Sequence, residues 1–180
     1  MEFKECVETR RSIRKYKPTK ISRQDFEEIV SLTLFSPSWK NSQIVRFTLI
    51  EDDKVINNIA QKCINGSIHN QSIVYSAPNI IVMSYIIGKS GFNSDGSFST
   101  SKGDRWQMFD SGIAASTLCL AAHNKGFGTV IMGMFDEYKV AEIINLSKNQ
   151  QIASLIPIGF SDISPTYPPR NTAQSVITYL

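Results

Sequence analysis

One uninterrupted apolar stretch limits the folds open to this 180-residue chain more than any other feature. Residues 79–86 run Asn-Ile-Ile-Val-Met-Ser-Tyr-Ile and follow Ala77-Pro78. A strand with one face in water alternates apolar and polar residues, whereas a strand covered on both faces is apolar almost throughout. The sequence therefore predicts a central strand, with other structure on both sides of its sheet.

Helical and strand-like segments are interleaved around this stretch. Helices are predicted over residues 2–9, 22–37, 52–65, 105–125 and 136–146. Ser22, with Asp25 three residues on, and Asp136 are expected to cap the start of their helices, and Pro37 ends the second helix. Gly126 is expected as the C′ residue of the helix over 105–125. Strands are predicted over 46–51, 129–133 and 152–160, and residues 175–180 have a strand-like composition. The pattern indicates a single domain over 1–180, an α+β or α/β sandwich of helices around one sheet.

The totals exclude several classes of protein. A chain of this length with 42% hydrophobic residues can bury a core without disulfides or metal. Its three cysteines are far apart and form no C-x-x-C, which favours a reducing cytoplasm. A net charge of only +3 argues against a nucleic-acid binder, and no apolar run is long enough to suggest a membrane span or a leader.

Charge is nevertheless concentrated near the start of the chain. From Arg10 to Arg23 there are seven Lys or Arg residues and no acid. The basic segment, which we define as residues 10–14 (Arg-Arg-Ser-Ile-Arg), offers three guanidinium forks and the hydroxyl of Ser12, a combination suited to phosphate. The same residues are also typical of a solvated basic helix end. Arg170, in a proline-rich stretch, is open to the same two interpretations.

Two other stretches offer polar contacts. The polar loop, which we define as residues 37–43 (Pro-Ser-Trp-Lys-Asn-Ser-Gln), holds enough donors and acceptors for the polar edge of a heteroaromatic ring, or for its own backbone. Met132-Gly133 follows a predicted strand, where a glycine permits close approach of a flat ligand or simply forms a turn. Residues 88–103 contain four glycines and five serines and predict a mobile lid or a disordered excursion.

Other chemistries find little support. The two histidines, His69 and His123, form no H-E-x-x-H motif, so no metal site is predicted. Cys6 and Cys119 lie on apolar helical stripes and are expected in the core rather than as nucleophiles. No G-x-G-x-x-G or Walker A motif is present, which argues against a separate Rossmann site for NAD.

Taken jointly, four motifs resemble the FMN-dependent nitroreductase family over almost the whole chain. They are the basic segment after a short helix, Pro37-Ser38-x-x-Asn41-x-Gln43 before Arg46-Phe47, Gly126-x-Gly128 before Met132-Gly133, and Ile158-Gly159-Phe160 before Pro169-Arg170. The resemblance implies a three-layer α+β sandwich with a mostly antiparallel sheet. It also implies a homodimer with tightly bound FMN at the subunit interface and a C-terminal segment that extends onto the partner.

The resemblance also implies roles for individual residues. Arg10, Ser12 and Arg14 would contact the phosphate, the ribityl chain and the pyrimidine edge of the flavin, with Arg11 nearby and Arg170 at the phosphate. From the other subunit would come Pro37, Ser38, Asn41 and Gln43. The residues along the flavin near N5 would be Ile131, Met132 and Gly133, with a backbone N–H as donor. No catalytic side chain is expected, because solvent can supply the protons for the implied reaction.

The activity implied is a ping-pong, two-electron reduction of nitroaromatics, quinones or similar acceptors by NADH or NADPH. This chain departs from the family where residues 88–103 replace a longer helical insertion, and where Ile44-Val45 replaces the usual Pro-Trp. Three alternatives stay open: a flavoenzyme of the same fold with another reaction (reductive dehalogenation, flavin fragmentation or azoline oxidation), a non-enzymatic flavin carrier, and a basic interaction module without cofactor.

Overall fold

The fold is described from a computed structural model, which describes residues 1–64 and 66–180. The helices are α1 (Phe3–Thr9), α2 (Arg23–Thr33), α3 (Asp53–Cys63), α4 (Ile68–Ser76), α5 (Arg105–Asn124) and α6 (Glu137–Ile143). The strands are β1 (Val45–Ile50), β2 (Asn79–Ile86), β3 (Gly128–Thr129) and β4 (Gln150–Gly159). Within the described residues these strands form one antiparallel sheet in the order β1-β2-β4-β3.

Strand β2 has neighbours on both edges and structure on both faces, as the apolar stretch predicts. Alternate residues point in opposite directions along a strand. Ile80 and Val82 join one core cluster with α3, α4 and α6, whereas Ile81 and Met83 join a second cluster with α2 and α5. The predicted three-layer α+β sandwich is confirmed: α3, α4 and α6, then the sheet, then α2 and α5.

The capping predictions are confirmed in detail. The side chain of Ser22 accepts the N–H of Asp25 at the start of α2, and the Asp136 carboxylate accepts the N–H of Lys139 at the start of α6. Gly126 (φ 87°) ends α5 by donating to the carbonyl of His123, and Phe127 donates to the carbonyl of Ala122. Glycine suits this position because a left-handed backbone is strained for residues that carry a Cβ.

Several predicted boundaries need correction. The helix predicted over 52–65 ends at Cys63, and its predicted last residue, Asn65, lies outside the described residues. Helix α4 has no counterpart among the predicted elements. Its residues are poor helix formers by composition, and Ile73 and Val74 hold it in place by packing into the core. The strand predicted over 129–133 is shorter, since β3 spans Gly128–Thr129 and is followed by a single bridge from Met132 to Leu155.

The strand-like end of the chain does not form a strand. Residues 166–180 are exposed throughout, with one 3₁₀ turn over Ala173–Ser175. The β-rich composition of residues 175–180 favours a strand only where a neighbouring strand supplies hydrogen bonds, and in the single chain they have no such partner among the described residues. Among the described residues, no helix is long and apolar enough to cross a membrane.

Candidate functional site

The basic segment is anchored at the edge of the sheet beside β3. Ser12 bridges to Thr129, and the N–H of Ile13 donates to the carbonyl of Thr129 at 3.0 Å. The ring of Tyr16 is buried, and its hydroxyl donates to the carbonyls of Ile13 (2.6 Å) and Pro157 (3.1 Å). Ile13 and Tyr16 point inward, and Arg14, which lies between them in the chain, is exposed at the surface.

The close contact between this segment and β3 depends on a glycine. A Cβ built at Gly128 would lie 2.4 Å from Cγ1 of Ile13 and 2.7 Å from its Cβ. Such distances leave no room for any side chain. Gly128 therefore lets the basic segment lie directly against the sheet, so that the position of its arginines is fixed by packing.

Two of the cavities beside the basic segment are lined by Arg10, Ser12 and Arg14. The arginine cavity, of about 290 Å³, contacts the basic segment, one face of α5 and the residues after β3; its lining is Arg10, Ser12, Arg14, Gly112, Ser116, Cys119, Thr129, Val130 and Ile131. The tail cavity, of about 480 Å³, lies between the basic segment and the C-terminal residues; its lining is Arg10, Arg11, Ser12, Arg14, Pro165, Thr166, Pro168 and Arg170. Among the residues that the structure describes, no Asp or Glu lines either cavity.

The structure thus brings together the predicted residues Arg10, Ser12 and Arg14, which line both cavities, with Ile131 on one side and Arg170 on the other. Arg11 also lines the tail cavity, so four guanidinium groups border the two cavities and create a strongly positive potential there. Residues 112, 116, 119 and 129 also line this site, and sequence reasoning did not find them. Their helical spacing of four and three was the only signal in the sequence for the three on α5.

Arg11 is directed differently from its neighbours. Its Nη1 donates to the carbonyls of Glu8 (2.6 Å) and Arg10 (2.8 Å), and its guanidinium lies over the ring of Tyr167. These contacts join the basic segment to the C-terminal tail. Arg11 therefore uses its Nη1 donors within the chain, while Nη2 and Nε donate to no acceptor among the described residues.

Residues 131–133 present alternate groups to the surface. Ile131 and Gly133 are exposed, whereas the side chain of Met132 is buried in the core and its N–H donates to the carbonyl of Leu155 at 2.8 Å. The N–H groups of Ile131 and Gly133 have no acceptor among the described residues. Of the three residues predicted to lie along a flavin, Met132 thus turns inward, and two backbone donors remain available.

The polar loop lies against a different face of α5. Pro37, Ser38 and Gln43 line a small cavity together with Asp110 and Ala114 of this helix. At 100° per residue, Asp110 and Ala114 are about half a turn away from Gly112, Ser116 and Cys119. Neither cavity at the basic segment is lined by a residue of the polar loop. Helix α5 therefore separates the two predicted halves of the site within one chain.

The polar loop is held in an unusual conformation. Lys40 (φ 45°), Asn41 (φ 55°) and Gln43 (φ 45°) all adopt left-handed backbone angles. Such angles are strained for residues with a Cβ, and Asn tolerates them best. The N–H of Gln43 donates to the hydroxyl of Ser38, and the ring of Trp39 packs on Trp106 with centroids 4.6 Å apart. Asn41 is one of the predicted site residues, and its side chain is exposed.

The buried cysteines have no sign of reactivity. Cys6, Cys63 and Cys119 are free thiols and all three are buried. The prediction that Cys6 and Cys119 are core residues is therefore confirmed. Burial raises the pKa of the Cys119 thiol, although Thr129 and Arg10 oppose the change. A raised pKa keeps the thiol protonated, so it is a poor nucleophile.

Segment 88–103 forms hydrogen-bonded turns. Ser99 donates its N–H to the carbonyl of Gly91 at 2.8 Å, and the rings of Phe92 and Phe98 lie 5.0 Å apart. The segment is attached to α5 by Gln107, whose Oε1 accepts the N–H of Gly88, and by Asp110, whose carboxylate accepts the hydroxyl of Ser90. Its mobility stays a prediction.

Comparison with known proteins agrees with this architecture. The model of the nitroreductase family matches residues 7–160. A nitroreductase family protein from Clostridium novyi NT is 30% identical, with a TM-score of 0.77 over 92% of this chain and 88% of that one. An NADPH:FMN oxidoreductase from Vibrio harveyi, solved in complex with NAD+, is 26% identical, with a TM-score of 0.80 over 97% of this chain and 75% of that one.

A third structure, of a nitroreductase-like protein from Exiguobacterium sibiricum 255-15 in complex with FMN, has a TM-score of 0.84 over 100% of this chain and 98% of that one. At 21% identity, it supports the fold alone. Since the family model covers most of the chain, this chain belongs to the nitroreductase family.

Proposed function

We propose that this chain is an FMN-dependent oxidoreductase that uses NADH or NADPH to reduce nitroaromatics, quinones or similar planar acceptors. The observation that carries the proposal is the arrangement of Arg10, Ser12, Arg14 and Arg170 around acid-free cavities in a member of this family. The name of the Vibrio harveyi relative, an NADPH:FMN oxidoreductase, supports the same donor and cofactor.

The residues present fit FMN chemically. A phosphate needs cationic forks, which Arg10 and Arg170 offer, and a ribityl chain needs hydroxyl or amide partners, which Ser12 offers. A flat ring with polar edges needs backbone donors beside an open surface. The unpaired N–H groups of Ile131 and Gly133 meet that need, and a Cβ at Gly133 would contact no atom within 4 Å.

The chemistry that bound FMN supplies is the acceptance and release of two electrons with a proton, and the protein contributes placement and electrostatics. Arg14, on the rim of the arginine cavity, would favour negative charge on the polar edge of the ring. Arg10 and Arg170 would hold the phosphate. No carboxylate lines the site, so added negative charge meets no like charge there.

We also propose that the functional unit is a homodimer in which each cofactor contacts both chains. The polar loop and the basic segment lie on opposite faces of α5. The predicted contributions of Pro37, Ser38, Asn41 and Gln43 therefore have to come from the partner. Large apolar side chains on the same surfaces are exposed in the single chain, among them Phe35 (87%), Phe109 (59%) and Met108 (50%). A second subunit would cover them.

The decisive experiment is the visible spectrum of the purified chain, its mass in solution, and anaerobic addition of NADH or NADPH. We expect a yellow protein of dimeric mass, bleaching of its flavin bands by one of the two donors, and parallel double-reciprocal lines with a quinone as acceptor. A protein that retains no flavin after FMN has been added and the free FMN removed would refute the proposal. A flavin that neither donor bleaches would indicate a carrier, and intersecting lines would refute the ping-pong order.

A further inference from the structure

The carboxylate of Asp110 is buried and joins three parts of the chain. The residue is 2% exposed on α5. Its two oxygens each lie 3.1 Å from the backbone nitrogen of Trp39, and Oδ2 also accepts the hydroxyls of Ser42 (3.2 Å) and Ser90 (2.7 Å). The first two contacts are in the polar loop, and the third is at the base of segment 88–103.

Burial of a carboxylate at this position costs folding free energy, which its hydrogen bonds have to offset. Within the described part of the chain, Asp110 forms no salt bridge, so its charge is compensated by hydrogen-bond donors alone. Moving an ionised group out of water without a counter-ion is strongly unfavourable. An apolar residue would fill the same place on α5 at lower cost, which indicates that the hydrogen bonds themselves are needed.

The contacts of Asp110 bracket two of the three left-handed residues of the polar loop. Trp39 precedes the left-handed residues Lys40 and Asn41, and Ser42 follows them. A strained backbone persists only where its surroundings hold it. Asp110 contacts both ends of this stretch, and the side chain of Asn41 between them is exposed.

We propose that Asp110 is a positioning residue that holds the polar loop in its strained conformation and links it to segment 88–103. The inference that this loop position serves the cofactor of the partner subunit rests on the proposed function. Asp110 itself touches neither cofactor nor substrate in this scheme. Its effect passes through Trp39 and Ser42 to Asn41, and through Ser90 to the segment.

The first test measures how readily trypsin cleaves the polar loop in protein without cofactor. Trypsin cleaves after Lys40, which is exposed within the loop. In FMN-free protein, Asp110→Asn should raise the rate of cleavage after Lys40 about tenfold or more, because strong hydrogen bonds to the charged group are lost. Asp104→Asn is the matched control: Asp104 is exposed at the start of the same helix and makes no capping bond, so the wild-type rate should persist.

Two further variants keep the inference testable if Asp110→Asn folds poorly. Ser42→Ala removes one contact and should raise cleavage after Lys40 severalfold, whereas Ser90→Ala should raise cleavage after Lys89 or Lys102, at the two ends of the segment. Folding is checked by circular dichroism and a cooperative melt. Wild-type rates at Lys40 in both Asp110→Asn and Ser42→Ala would overturn the inference.

The second test uses FMN and separates this inference from the proposed function. Asp110→Asn and Asn41→Ala should each weaken FMN binding, and the double variant should bind no more weakly than the worse single variant, because both act through the same loop. Additive losses would overturn the role of Asp110 through Asn41. If the wild-type chain takes up no FMN, the proposed function fails, while the cleavage result still decides whether Asp110 holds the loop.

Discussion

The guanidinium carbon of Arg11 lies 4.2 Å from the centroid of the Tyr167 ring. This cation–π contact joins the basic segment to the exposed C-terminal residues 166–180. Arg170, three residues further on, lines the tail cavity with Arg10 and Arg14. The contact therefore links the position of Arg170 to the arginines at the start of the chain.

Loss of the Tyr167 ring should weaken FMN binding through Arg170. An exposed cation–π contact is worth about 0.5–1 kcal/mol, so Tyr167→Leu should raise the Kd for FMN roughly two- to fivefold. Tyr167→Phe keeps the ring and serves as control. The Kd is measured by fluorescence titration, and equal values for the Leu and Phe variants would show that the ring does not act on the site.

Removal of Arg14 should have a larger effect. The lost charge-assisted hydrogen bond is worth about 1.5–3 kcal/mol, which corresponds to a rise in the Kd for FMN of roughly 10- to 150-fold. Lys17→Ala removes the same charge from an exposed residue that lines neither cavity, and should leave the Kd nearly unchanged. If both variants weaken binding equally, only net charge matters and Arg14 makes no specific contact.

The separation of the polar loop from the basic segment by α5 predicts complementation between variants. Arg10→Ala and Asn41→Ala chains should each form homodimers that bind FMN weakly at both sites. A heterodimer of the two should regain one intact site, built from Arg10 of one chain and Asn41 of the other. Differently tagged chains allow its purification, and the flavin content should be half that of the wild type. A heterodimer without flavin would contradict the shared site.

The sequence predicts this fold best where the physical signal is local. The apolar run of β2 is enough to predict a strand covered on both faces, and Ser22 and Asp136 mark helix starts because a cap contacts residues only two or three positions away. The strand-like composition of residues 175–180 does not produce a strand in the single chain, because strand propensity takes effect only against a neighbouring strand.

The residues of the candidate site also differ in how far the sequence alone predicts them. Clustered arginines are visible in the sequence, so Arg10, Ser12 and Arg14 could be named together. Asp110 could not, because its partner Trp39 is 71 residues away and a single acid on a helix usually faces water. The inward turn of Met132 also needs three dimensions, since it follows from the bridge to Leu155.

Gly128 should tolerate no side chain. Gly128→Ala would place a Cβ 2.4 Å from Cγ1 of Ile13, and the overpacking should cost about 1–3 kcal/mol. For a domain of this size, each kcal/mol lowers the Tm by about 2–4 °C. Gly133→Ala, whose Cβ would meet no atom within 4 Å, is the control. Both are measured in FMN-free protein, and an unchanged Tm for Gly128→Ala would mean that the basic segment shifts freely.

The last prediction concerns the pH dependence of stability and His123. Burial, assisted by Arg10 and Arg11 and opposed by Glu5, lowers the pKa of His123 below its ordinary value of 6.5, and Nε2 lies 2.9 Å from the hydroxyl of Thr9. Because the folded state disfavours the charged ring, the unfolded chain binds the proton more readily. The contribution to stability is therefore fully present above about pH 6.5 and decreases as the pH falls below it.

His123→Gln keeps a polar partner for Thr9 and removes this titration. We expect the free energy of unfolding, measured in urea at about pH 7.5 and about pH 5.5, to differ less between the two pH values in His123→Gln than in the wild type. His69→Gln, on the exposed side of α4, is the matched control and should keep the wild-type difference. An equal difference in His123→Gln and the wild type would show that neither burial nor the neighbouring arginines lower the pKa of His123 in the folded state.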